Sequence, residues 1–291
     1  MQTFYLDTSA INSLYDDPEV SNLKSAFKDS LHVYISVFTI AELASTSNAD
    51  RRVGLIRLAK DISGKFRPAA MPGDLLKRSL EKIHAWASDM DNSMGPEWDG
   101  VWIALNEPTL IDEESYREIT EWKAQQETWY HEMHNRGRPL MQNGLAKLPS
   151  DERSTLTSRF PRLIRYYPPD SEFTKDFVAD MASHSGTKLQ VDKALAHKII
   201  RHSEHWRFFL ASMAYGMYGR SIQISHFGRG KNPGSIDTQQ SIYLPICDVF
   251  VTTDQPQYRM LRLLTPFGHK KRQVWKYQKF ANWLLNKGRN C

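Results

Sequence analysis

Cysteine is nearly absent from this chain: only Cys247 and Cys291 occur in 291 residues. That scarcity excludes a disulfide scaffold and a thiolate zinc site, and it fits a reducing cytoplasm. Long apolar runs are missing too, none approaching the roughly 20 residues that a bilayer-spanning helix requires. The opening Met-Gln-Thr-Phe-Tyr-Leu-Asp has neither the basic stretch nor the apolar core of a secretory leader, so a cytoplasmic protein without a membrane partner is expected. No internal repeat and no low-complexity tract occurs. Charge of one sign is scarce overall, with a formal net charge of +5.

What is present is ordinary globular composition, 41% hydrophobic and 24% charged, so disorder is not the default. The length allows one elaborated domain or two small ones. The positive charge is concentrated: from Ile236 to Cys291 there are nine Lys/Arg against three Asp, and the remainder is close to neutral. A basic segment of that kind suits a polyanionic partner, or simply solvates a C-terminal helix.

Read along the chain, residues 3–6 form a short strand, and Thr8-Ser9 offers an N-cap for a helix through Leu14. A second helix is expected over Val20–Ser30 and a second strand over His32–Ser36. Ile40, Leu43 and Ala44 fall at helical spacing and place Glu42 in the first turns of a third helix. A fourth follows over Arg51–Ile62. From Pro72 to Arg220 the pattern is helical, with helices expected over Leu75–Met90, Glu113–Asn135, Asp170–Ser185 and Val191–Tyr218. Six of the eight tryptophans lie there (Trp86, Trp98, Trp102, Trp122, Trp129, Trp206), which marks a packed insertion and not a solvated tail. After the loop Gly228–Gly234 come a helix over Asp237–Ile246 enclosing Cys247 near its end, a strand over Val249–Thr252, a helix over Pro256–Leu264, a strand over Gln273–Trp275 and a helix over Gln278–Asn286. The fold class is therefore α/β, a core with a central parallel sheet split between residues 1–70 and 235–291 and interrupted by a helical insertion over 71–234.

Four acids stand at strand ends or helix starts: Asp7 after Phe4-Tyr5-Leu6, Glu42 after the second strand, Asp237 opening an apolar segment, and Asp254 after Val249-Phe250-Val251-Thr252. Carboxylates at the ends of adjacent parallel strands share one crevice. Such a ring of hard oxygen donors repels itself unless divalent cations neutralise it, and Mg²⁺ or Mn²⁺ held there serves phosphodiester hydrolysis. The hydroxyls of Thr8, Ser9 and Thr252 stand beside the carboxylates to orient them. Any one such acid also serves as a helix N-cap or dipole partner, so the inference rests on the set. Asp248 competes with Asp237 for the third position.

The blocks Phe4–Ser9, Ile35–Leu43 and Asp237–Asp254, ending Thr252-Thr253-Asp254, resemble the PIN domain family of metal-dependent ribonucleases in strand pattern and in the order of strands and acids. The resemblance implies a three-layer PIN-like core, a catalytic and metal-binding set of Asp7, Glu42, Asp237 and Asp254, Mg²⁺ or Mn²⁺ as cofactor, and endonucleolytic cleavage of RNA. It also implies a homodimer and an inhibitor or antitoxin partner as assemblies to look for. One departure is the gap of 195 residues between the second and third acids. The residues themselves imply only phosphodiester hydrolysis, so a DNA-directed or structure-specific nuclease stays open, as does a non-catalytic module that binds RNA or protein.

Arg229, Lys231, Lys270, Lys271 and Arg272 are candidate substrate contacts, basic groups in loops near the last two acids. Arg51 and Arg52 read as a solvated helix face. His197, His202 and His205 share a predicted helix without zinc spacing or thiolate partners. The series Trp206, Phe208, Phe209, Tyr215 and Tyr218 reads as core.

Overall fold

Strands that are apolar at every position belong to a sheet covered on both faces. In the structure, a computed structural model describing residues 2–27, 31–64, 67–85, 92–147, 149–153, 172–184, 190–222 and 234–288, four strands with buried apolar centres form: β1 (Thr3–Leu6), β2 (His32–Tyr34), β3 (Val249–Thr252) and β4 (Gln273–Lys276). They pair in the order β2-β1-β3-β4, all parallel. Tyr5 lies opposite Tyr34 and Phe250, and Phe250 opposite Val274, so these four side chains share one face. Phe4, Leu6, Val33, Val249 and Val251 project from the other.

The helices are α1 (Thr8–Tyr15), α2 (Val20–Phe27), α3 (Val37–Ala44), α4 (Ala49–Ser63), α5 (Pro72–Ala85), α6 (Asp99–Asn106) and α7 (Glu113–Ala146). Then follow α8 (Glu172–His184), α9 (Lys193–His202), α10 (Glu204–Ile222), α11 (Ser235–Gln239), α12 (Gln255–Leu264) and α13 (Tyr277–Gly288). One hydrophobic cluster joins the Phe4 face to Ile11 and Leu14 of α1, Leu23 of α2, Leu55 and Ile56 of α4, and Phe280 and Leu284 of α13. The second joins Tyr5, Phe250 and Val274 to Leu75 and Leu76 of α5, Tyr130 of α7, Trp206 and Phe209 of α10, and Leu261 of α12. The expected α/β class and central parallel sheet are present, with helices on both faces of the sheet. Helices α5, α7 and α10 of the insertion cover the Tyr5 face, where Trp206 Nε1 donates to the Leu76 carbonyl at 3.1 Å, while α6 packs through Leu105 on the Phe4 face.

The strand order sets the site. From β1 the chain passes to β2 on one side, and later returns to β3 on the other side of β1. Helix α1, leaving β1, packs on the Phe4 face, whereas α12, leaving β3, packs on the Tyr5 face. That divergence places a topological switch point beyond the carboxyl ends of β1 and β3, the position where a crevice forms and ligands bind in open parallel sheets.

Several expected elements are corrected. Asp7, not Thr8 or Ser9, caps α1. The segment after β2 bends earlier than expected because Ser36 accepts from the Thr39 amide (3.0 Å) and starts α3. The single helix expected over Val191–Tyr218 breaks at Ser203, whose hydroxyl accepts from the Trp206 amide (3.3 Å) and begins α10. The helix expected over Asp237–Ile246 is α11 followed by a 3₁₀ stretch, Gln240–Ile246, because Pro245 has no N–H to continue an α-helix. Cys247 lies just past that stretch, buried. Helix α6 was not anticipated. Among the described residues, no helix is long and apolar enough to cross a membrane.

Candidate active site

Asp7 follows β1, its amide still donating to the Val251 carbonyl of β3 at 3.2 Å. Its Oδ1 accepts from the Ala10 amide (2.7 Å), capping α1. Asp254 does the same for α12, with Oδ1 accepting from the Gln257 amide at 2.6 Å. Glu42 lies in the second turn of α3, its Oε2 taking hydrogen bonds from Thr8 Oγ1 (2.6 Å) and Gln240 Nε2 (3.0 Å). Asp237, the third residue of α11, binds the Gly234 amide through Oδ2 at 3.1 Å. Two of the four acids are thus helix caps, as an isolated reading of each allows. Capping alone does not call for burial, however, and Asp7 is only 1% exposed.

The electrostatics show why these groups belong together. Burial pushes the Asp7 carboxyl up to about 7; the Thr252, Ala10 and Ser9 groups around it pull the other way, and the field of Asp237 adds to the rise. Burial likewise raises Glu42 to about 8, opposed by the Thr8 hydrogen bond and raised further by Asp237 and Asp7. Asp237 is lifted to about 6 by burial and then by Asp254, with Glu127 contributing. Each of the other three acids is coupled to Asp237, which makes it the centre of the cluster. Carboxylates lifted in this way by burial and by one another are stabilised by an added cation.

The three hydroxyls expected beside the acids are there. Thr8 binds Glu42 as described. Ser9 Oγ donates to the Asp7 carboxylate (2.9 Å) and lies 3.1 Å from Thr252 Oγ1. Thr252 Oγ1 accepts from the Asp254 amide at 3.0 Å and donates to Gln257 Oε1 at 2.7 Å.

Other expectations are overturned. Asp248 sits before β3, at the opposite, amino edge of the sheet, where its Oδ2 accepts from the amide and hydroxyl of Thr3 at 2.9 Å each. The Thr3 amide holds its carboxyl below the ordinary range, and it stands away from the other acids. Arg272 is not a surface phosphate grip: it is 6% exposed and paired twice with Glu204, at 3.0 and 2.7 Å. Lys270 and Lys271 are exposed beside it, on the turn leading into the amino end of β4 and thus far from the carboxyl edge. Arg229 and Lys231 lie outside the described residues. Arg52 is buried against Thr46 (2.9 Å) and the Tyr116 ring, not solvated, while Arg51 is committed to Asp16 at 2.7 Å through both terminal nitrogens. His205 is buried, bonded to the Ile242 carbonyl at 2.8 Å, and burial lowers it to about 4, so it is neutral.

Sequence reasoning missed four residues of the site. Gln240 and Gln257 are buried amides that join the acid-bearing segments, and among the polar residues around each of them nothing local marks them out. Lys123 and Glu127 come from α7. Lys123 Nζ is 3.8 Å from Glu42 Oε1, and Glu127 Oε1 accepts from the Ser235 amide at 3.2 Å, fixing the start of α11. Nothing in local sequence points from α7 to the sheet.

The donor set suits a hard divalent cation: carboxylates only, each of three anchored through one oxygen, with Oδ2 of Asp254 and Oδ1 of Asp237 facing no hydrogen-bond donor among the described residues. As the side chains stand, no group of three or more His, Cys, Asp or Glu is arranged to enclose an ion among the described residues, so a cation would draw these carboxylates closer. The chain matches no protein-family model, no curated protein and no solved structure, so its geometry and chemistry alone carry the functional reading.

Proposed function

We propose that this protein is a metal-dependent endoribonuclease with a PIN-like arrangement of catalytic acids. The observation that supports the reading most directly is the convergence of Asp7, Glu42, Asp237 and Asp254 at the switch-point crevice, from four segments as far apart in sequence as residues 7 and 254. Asp7, Glu42 and Asp237 are carboxyls lifted by burial first and by neighbouring acids second, an arrangement that costs stability and is characteristic of functional sites.

Asp7, Glu42, Asp237 and Asp254 would hold the ion. When bound, Mg²⁺ or Mn²⁺ supplies positive charge that activates a water and stabilises the departing oxygen during phosphodiester hydrolysis. The protein's own groups do the rest. Ser9 and Thr252 orient Asp7, Thr8 and Gln240 orient Glu42, and the α12 cap orients Asp254. In the reaction a water oxygen bonds to phosphorus, the P–O bond to the leaving ribose oxygen breaks, and a proton passes from the water to that oxygen.

The test is cleavage of a labelled mixed RNA with Mn²⁺, beside EDTA, the Asp7→Asn protein and a matched single-stranded DNA. Metal-dependent RNA cleavage lost in the variant is the expected result. Cleavage confined to DNA would reassign the substrate, and absence of saturable Mn²⁺ binding by calorimetry would overturn the enzymatic reading.

A further inference from the structure

Two lysines flank the acid cluster on opposite sides. Lys123, from α7 in the inserted layer, lies beside Glu42 and also acts on Asp237 through its field. Lys276 ends β4, paired in register with Thr252 of β3, and feels the fields of Asp254 and Asp7. Helix α3, which carries Glu42, follows β2, so the strand order fixes the sequence of groups along the carboxyl edge. Lys123 with Glu42 comes first, then Asp7 after β1, Asp254 after β3, and Lys276 at the end of β4. A line drawn across that edge meets cation, acids and cation, and β4 stands two strands from β1, roughly 10 Å at ordinary strand spacing.

Neither lysine is locked into a tight ion pair. Lys123 is 3.8 Å from Glu42 Oε1 and 3.5 Å from Ser45 Oγ, with its side chain 41% exposed. Lys276 Nζ donates to the Thr253 carbonyl at 3.1 Å and lies 4.9 Å from the centre of the Tyr258 ring, held in place by neutral groups that leave its charge available. A polyanionic strand lying across the edge would place one phosphate at the acids and its neighbours at the two lysines.

Resting on the nuclease reading, we propose that Lys123 and Lys276 grip the phosphates on either side of the scissile one. The enzyme then selects internal bonds of a single strand, and the helical insertion supplies half of the clamp. This explains what α7 adds beyond covering the sheet. It also gives a structural reason for endonucleolytic cleavage, because a bond at a strand end lacks one of the two flanking phosphates.

The test measures binding of a fluorescein-labelled nine-nucleotide oligouridylate to the Asp7→Asn protein by anisotropy over a salt series. Each phosphate contact to a single strand contributes about 0.7 to the slope of log affinity against log salt. Lys123→Met and Lys276→Met should each lower the slope by about 0.7, and Lys123→Arg should restore it. Lys279→Met, which removes an exposed charge elsewhere on α13, should leave it unchanged. Oligonucleotides with one neutral methylphosphonate beside the cleavage position complete a cycle. Neutralising one side should weaken binding to the parent but not to the lysine variant that reads that side. Unchanged slopes in both variants, with melting temperatures confirming that they fold, would overturn the clamp. So would a loss equal to that of Lys279→Met. Reduced slopes in a protein that cuts no RNA would keep the clamp and refute the nuclease, whereas cleavage with unchanged slopes would do the reverse.

Discussion

The side-chain amide of Gln257 donates from Nε2 to Oε1 of Gln240 at 2.9 Å, with Gln257 fully buried and Gln240 1% exposed. This contact joins the acid-bearing segments. Gln257 takes the Thr252 hydroxyl on its oxygen and reaches the Asp237 carbonyl at 3.3 Å, while Gln240 passes the connection to Glu42. Gln257→Leu keeps the volume but leaves buried partners unpaired. It should cost about 2–3 kcal/mol in urea unfolding and weaken Mn²⁺ binding by the folded protein; a folded variant with unaltered Mn²⁺ affinity would reduce the glutamine pair to packing.

Asp7→Asn should separate stability from activity. Asparagine still caps α1, and the change removes a buried charge that Asp237 and Glu42 oppose. The melting temperature of the metal-free protein at pH 8 should rise, while cleavage falls on the order of 100-fold or more, since even outer partners of a metal site cost 10- to 100-fold. A variant that loses stability instead would mean that the carboxylate serves only the fold.

The pH dependence follows from the raised carboxyls. Their folded-state values, about 7 for Asp7, 8 for Glu42 and 6 for Asp237, exceed the unfolded values near 4. Between those limits the folded protein binds more protons than the unfolded chain, so stability falls as pH rises. Thermal melts without metal should show stability decreasing from about pH 5 to about pH 8, with Mn²⁺ restoring it at the upper end. A metal-free profile that climbs over this range would contradict the cluster.

Buried Arg272 and half-buried Glu204 form a twofold-bonded ion pair, with Arg272 also reaching the Pro245 carbonyl at 3.2 Å. Arg272→Ala removes two charge-assisted hydrogen bonds from Glu204 and should destabilise by about 1.5–3 kcal/mol. At a temperature where both proteins are folded, oligouridylate affinity should be unaltered. A selective loss of affinity would return Arg272 to the substrate path.

Trp206→Ala removes a fully buried side chain of the inserted layer and should cost about 3–5 kcal/mol. Because that layer shares its core with Tyr5 and Phe250 of the sheet, unfolding followed by far-UV circular dichroism and by tryptophan fluorescence should shift together. Separate transitions would show an insertion that folds by itself.

The strands and most helices were legible because their signals are local. Phe4-Tyr5-Leu6 and Val249-Phe250-Val251 are apolar runs cut short by acids, and α12 begins with an Asp cap and Pro256 in its first turn. Boundaries failed where a side chain redirected the backbone: at Ser36, which starts α3 earlier than the apolar pattern indicates, at Ser203, and at Pro245. The basic residues failed differently. Arg272 looks on paper like its neighbours Lys270 and Lys271, and only the position of Glu204, 68 residues earlier in the chain, decides that it is internal.

Local chemistry in the sequence determined the parallel α/β core and nominated four acids, because alternation, capping and strand ends act over a few residues. The tertiary structure alone decided that Asp248 is excluded, since a parallel sheet sends the two ends of β3 to opposite edges. It alone brought in Lys123, Glu127, Gln240 and Gln257. Their roles depend on how α7, α12 and the segment from α11 onward pack together, and contacts such as Glu127–Ser235 and Glu42–Gln240, 108 and 198 positions apart, leave no trace in local sequence.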